Sequence, residues 1–153
     1  MPLPYLRIEL AKIRSPQVTD IVRLAGLFEV SMDGFARSMV EFSRHALAVI
    51  SVRDGRIARI YRNKRQYPWL DIRIGDPVSA ESNWQDRWVM PGETSASEEC
   101  DPEVWLSPTA ARKVEVLVEH ALCQRDGFGI ILLHAEMRDD DGGGLKAVDL
   151  RWR

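Results

Sequence analysis

The sequence predicts an α+β protein, with a helical unit over residues 1–45 followed by an antiparallel sheet domain over residues 46–153. Three observations predict it. Through residues 5–44 apolar side chains recur at helical spacing, so one face of each segment can be buried. Beyond His45 the pattern changes to β-branched and aliphatic runs separated by Asp54-Gly55, a strong two-residue hairpin signal. A second pair of such runs flanks Arg125-Asp126-Gly127. Helices first and antiparallel strands after is an α+β order.

Residues 5–13 read as a short helix that breaks at Ser15-Pro16. Ser15 is expected to cap the second helix, with Pro16 at its first position, where the missing N–H costs nothing. Val18, Ile21, Val22, Ala25 and Phe28 then define its buried face. Glu29-Val30 makes the turn. Ser31 caps a third helix, whose apolar stripe is Met32, Phe35, Ala36, Met39 and Val40. Gly34 within it costs about 1 kcal/mol relative to alanine, which packing must offset.

Residues 46–52 and 56–61 are expected as paired strands, and residues 70–74 as a third, ended by Gly75-Asp76-Pro77. Residues 78–109 carry prolines, Trp84, Trp88 and Trp105, and an acidic patch at Glu98, Glu99, Asp101 and Glu103. That stretch is too long for a turn and is expected as an irregular strand or a packed crossover. Residues 113–124 and 128–137 form the second hairpin. In its first strand Val114, Val116 and Val118 alternate with Glu115, Leu117 and Glu119, a pattern with one buried face. Residues 139–144 (DDDGGG) read as a loop, and residues 145–152 as an edge strand or a loosely held tail.

Composition bounds the function. A hydrophobic fraction of 45% with 29% charged residues suits a globular chain. No apolar run approaches the ~20 residues a bilayer span needs, and the N-terminus lacks a signal-peptide pattern, so a cytoplasmic protein without membrane contact is expected. Cys100 and Cys123 alone give neither a zinc knuckle nor a disulfide framework. Residues 1–65 hold 12 Lys/Arg against 6 Asp/Glu, and the rest hold 9 against 17. Such asymmetry fits a nucleic-acid face on the basic half, two halves that attract one another, or ordinary solvated surface.

Three candidate sites emerge. A recognition helix at residues 31–44 would offer Met32, Asp33 and Gly34 to bases and Arg37 and Arg44 to phosphates; but Asp33 repels phosphate and Glu41 lies between the two arginines, which favours a purely structural helical pair over DNA contact. Arg53, Arg56, Arg59 and Arg62, with Lys64 and Arg65, form a basic cluster around the first hairpin. That cluster suits an acidic partner or nucleic acid, or protects a sheet edge from aggregation. Trp69, Trp84, Trp88, Trp105 and Phe128 could line an apolar ligand pocket, or fill the core. No catalytic set, metal site or cofactor is assigned from spacing.

The run LAGLFEVSMDGFARSMVEFSRHALAVISVRDGRIARIYRN, with PWLDIRIGDPV after it, resembles the C-terminal half of ImmA/IrrE-type proteins, zinc-metallopeptidase-like regulators of stress responses and mobile elements. The resemblance rests on the helix-turn-helix-like segment at residues 24–37, the hairpin at Ser51 to Gly55 and the connection at residues 69–77. It implies a helix-turn-helix-like unit followed by a GAF/PAS-like sheet. The family's HExxH element is not found here: His45 precedes ALAV, His120 precedes ALCQ and His134 precedes AEMR. Met1-Pro2 resembles the pair that often ends the peptidase-like domain, so the chain is expected to correspond to the region C-terminal to that domain. The expectation is a non-catalytic bacterial regulatory or sensor module that recognises a protein partner or small ligand. The alternatives are the C-terminal portion of a zinc peptidase acting on a repressor, or a DNA-binding regulator. A homodimer through a sheet edge or the first helix is compatible with each.

Overall fold

The computed structural model describes residues 2–63, 70–86 and 90–139. Helices α1 (Leu3–Ala11), α2 (Val18–Phe28) and α3 (Met32–Phe42) lead into strands β1 (Ala46–Arg53) and β2 (Arg56–Arg62). The chain then crosses through α4 (Asn83–Asp86), β3 (Glu98–Cys100), a 3-10 turn at Pro102–Val104 and α5 (Pro108–Ala111). It ends its described course in β4 (Val114–Cys123) and β5 (Phe128–Met137). The strands form one sheet in the order β2-β1-β5-β4-β3, and every pairing is antiparallel.

Strand periodicity sends alternate side chains to opposite faces, and both faces of this sheet are covered. Leu47, Val49, Leu122, Ile130 and Leu132 face the helices and share a core with Val18, Ile21, Leu24, Phe35, Ala36, Met39 and Val40. Ala48, Ile50, Val52, Leu117, Ala121, Ile131 and Leu133 face the other way, against Leu70, Val78, Trp105 and Leu106 from the connection between β2 and β4. That connection thus supplies the second covering layer.

Local chemistry explains the element boundaries. Both hairpins turn on Asp-Gly with positive φ at both residues, 52° and 76° at Asp54 and Gly55, 58° and 78° at Asp126 and Gly127. This backbone suits the strands' twist, and Asp and Gly adopt it at low cost. The two tips lie together, the Asp54 amide donating to the Gly127 carbonyl at 2.8 Å. Ser31 caps α3 as expected, accepting from the Gly34 amide at 3.0 Å.

Four expectations need correction. The N-cap of α2 is Gln17, not Ser15, because Asp20 in the first turn reaches back to accept from the Gln17 amide at 2.9 Å. Leu24 belongs to the buried face of α2, whereas Val22 is exposed. Residues 70–74 form no strand: isolated bridges, Leu70 to Leu106 and Arg56 to Pro77, tie that stretch, and Ile74 is exposed. In β4 a register shift between Val114 and Val116 turns Leu117 and Glu119 inward, leaving Val116 and Val118 half-buried. The final expected loop and tail lie outside the described residues, apart from Asp139.

Candidate functional site

Asp33 decides how α3 sits on the sheet. Its carboxylate accepts from the Ser51 hydroxyl at 3.0 Å, from Arg59 Nη1 at 2.9 Å and from the Tyr61 hydroxyl at 3.0 Å. The helix therefore lays its apolar side, Phe35, Ala36, Met39 and Val40, against β1 and β2 and exposes Gly34, Arg37 and Glu41. Asp33 does not stand free at the head of a recognition helix; it is a tether between layers. Asp33→Ala is expected to cost about 1–2 kcal/mol, since three donors lose a charged acceptor that is itself partly solvated. Urea denaturation followed by circular dichroism checks it.

The six arginines singled out from the sequence separate into two groups. Arg59 is committed to Asp33, Arg56 donates to the Gly75 carbonyl at 2.9 Å, and Arg53 lies 5.1 Å over the Phe128 ring. Arg44 is exposed beyond the end of α3. Arg37 and Arg62 line one cleft of about 900 Å³ between α1, α3 and the end of β2. Arg7 from α1 is the third guanidinium there, 5.7 Å over the Phe42 ring, and sequence reasoning missed it. Among the described residues Glu41 is the one carboxylate on the wall; Tyr61, Asn63 and Ser43 supply polar atoms. Asn63 Nδ2 donates to the Val40 carbonyl at 3.4 Å and its amide to the Leu47 carbonyl at 3.2 Å, which ties this end of β2 to α3 and β1.

A cleft of this volume is within the range of small-ligand sites. Among the described residues three guanidiniums and one carboxylate line it, which makes that wall positive. Arginine also offers a planar fork matched to carboxylate and phosphate oxygens. The arrangement can hold an anion. Among the described residues, no side chain on its wall is placed as a nucleophile with an adjacent base.

The expected aromatic pocket takes another form. Trp105 is buried in the core, and Trp84 packs on Gly129 of β5 beneath the same covering layer. Phe128 is 41% exposed and lies with Ile130 and Leu132 on the helix-facing parity of β5, so it does not meet the two tryptophans. Trp69 and Trp88 lie outside the described residues.

Under Trp84 and Trp105 the structure buries Glu119 completely. Its carboxylate accepts from the Ser82 hydroxyl and from the Asn83 amide at 3.3 Å. Burial pushes the carboxyl above its ordinary range, against the opposing effect of the Ser82, Asn83, Trp105 and Trp84 donors. The Trp105 indole N–H favours the charged form by proximity, yet it makes no bond of standard geometry; Asn83 Nδ2 is likewise buried without one. Cys100 lies alongside, its thiol pushed up to about 12 by burial first and then by the Glu119 charge, so it is inert as a nucleophile at neutral pH. Glu119 thus fastens the segment at residues 82–84 to the sheet.

Among the described residues no group of three or more His, Cys, Asp or Glu is placed to hold a metal ion, and no helix is long and apolar enough to cross a membrane. No family model and no curated protein matches the chain.

Proposed function

We propose that this chain is a non-catalytic regulatory module that recognises an anionic group, on a small ligand or on a protein partner, in the cleft between α1, α3 and β2. One observation carries the reading: Arg7, Arg37 and Arg62, from three separate elements, line a single concave site. Arginines serving only solubility would have no reason to converge on one concave site.

The sheet is read as GAF/PAS-like. Support comes from the order β2-β1-β5-β4-β3, with the last strand inserted beside the first and helices layered on one face. On this reading the chain corresponds to the half of an ImmA/IrrE-type regulator that recognises rather than cleaves.

Calorimetric titration at low ionic strength, first with sulfate and then with a glutamate-rich peptide, tests the proposal. Saturable binding is expected, weakened about tenfold or more in Arg7→Ala/Arg37→Ala, because each charge-assisted hydrogen bond contributes about 1.5–3 kcal/mol. Binding that is absent, or indifferent to both substitutions, contradicts it.

A further inference from the structure

All three histidines of the chain lie where the link between α1 and α2 meets the sheet. His45 Nε2 is 3.1 Å from the Ile13 carbonyl at the start of the link. The Val18 amide, at the first position of α2, donates to His120 Nδ1 at 3.1 Å at its other end. His134 stands edge-on to His45, with ring centroids 5.2 Å apart. We propose that His45, His120 and His134 form a clasp holding the α1–α2 link, and with it α1, against the sheet, and that protonation of His120 and His134 releases it, withdraws Arg7 from the cleft and weakens anion binding in mild acid. This inference names the regulation of the cleft and rests on the cleft being a binding site.

The chemistry at His120 and His134 sets the direction. Nδ1 of His120 accepts only while the ring is neutral at that nitrogen. A proton there removes the acceptor, leaves the Val18 amide unpaired in a buried place, and sets a cation against the positive end of the α2 dipole. A proton on His134 adds charge beside the His45 ring. Burial lowers the affinity of His120 and His134 for protons, and the neighbouring His45 lowers that of His134 further.

Ser95 backbone and Asp20 of α2 favour a proton on His120, and Glu136 of β5 favours one on His134, but burial outweighs them. Elsewhere on the helices, Glu9 is paired with Lys12 and Arg23, Asp20 also bonds Arg23, and Arg14 in the link is exposed. With folded affinities below the unfolded value of 6.5, the unfolded or released form binds more protons in the window beneath it. The clasp is therefore fully engaged above about pH 6.5 and is lost as pH falls through the depressed folded values.

Release reaches the cleft through two routes. Beyond the clasp, α1 is held chiefly by buried Leu6, Leu10 and Ile13, and it carries Arg7. His45 also donates its amide to the Ser43 hydroxyl at 3.1 Å, and Ser43 lines the cleft.

Sulfate keeps its two charges between pH 5 and 8, so it reports the protein's titration and not its own. The experiment pairs sulfate calorimetry with amide exchange protection at pH 7.5, 6.5 and 5.5 on the full chain. The expected result is a fall of about tenfold in Val18 protection and a parallel weakening of sulfate affinity between pH 7.5 and 5.5. His120→Asn/His134→Phe, which keeps an acceptor and a ring edge without a titrating group, is expected to flatten both. Constant protection across the range, or an unchanged pH response in that variant, overturns the clasp. Sulfate that binds at no pH overturns the cleft reading and the coupled half of this inference, whereas a fall in Val18 protection alone still supports the clasp.

Discussion

Trp105→Ala is expected to destabilise the fold by about 3–5 kcal/mol, the range for removing a large buried aromatic and leaving a cavity. Among the described residues Trp105 is the largest fully buried side chain, and it shares a core with Leu106, Leu70 and Val78 of the connecting segments on one face of the sheet. Had it walled an open pocket, truncation would remove surface already in contact with solvent and cost far less. Its indole also sits near Glu119, so truncation withdraws a donor that favours the ionised carboxyl. Equilibrium denaturation in urea checks the magnitude, and a loss under about 1 kcal/mol contradicts core placement.

Gly129→Ala is the second large effect. The Trp84 ring rests on the Gly129 backbone so closely that a Cβ there would fall inside the ring's van der Waals envelope. Because β5 is central in the sheet and paired on both sides, the strand cannot move aside. The indole must leave instead, loosening the Ser82 and Asn83 bonds to buried Glu119. Overpacking together with loss of those bonds puts the cost at about 2–4 kcal/mol. A double-mutant cycle isolates the contact: Gly129→Ala is expected to cost much less in a Trp84→Ala background. Additive losses would show that the two residues do not touch.

The local signals were legible because they depend on a few adjacent residues. Asp54-Gly55 and Asp126-Gly127 specify their turns as dipeptides, and Ser31 specifies its cap through its own side chain. The span of β5 is the one expected from the sequence. Where two local rules compete, the reading fails. Ser15-Pro16 makes a plausible helix start, but the reciprocal bond from Asp20 places it at Gln17. The alternation in β4 was visible, yet one register shift between Val114 and Val116 reversed which residues face inward, and so hid Glu119.

Long-range convergence is harder still. In the sequence Arg37 reads as a helix contact and Arg62 as part of a hairpin cluster, and nothing local links either to Arg7 on α1. The partners that remove Arg53, Arg56 and Arg59 from the candidate site, Phe128, Gly75 and Asp33, come from distant segments as well. Only the packing of α1 on α3, and of α3 on β2, makes a site from part of a charge pattern. The same packing brings three histidines without any shared motif to one link.

The most direct test of the central claim is a nitrogen-15 amide NMR titration of the full chain with sulfate at pH 7.5 and low salt. Saturable shifts confined to the neighbourhood of Arg7, Arg37, Glu41 and Asn63 are the predicted result. Shifts centred on Arg44 and the first hairpin tip, or scattered without saturation over every exposed basic residue, would contradict a built anion site in the cleft.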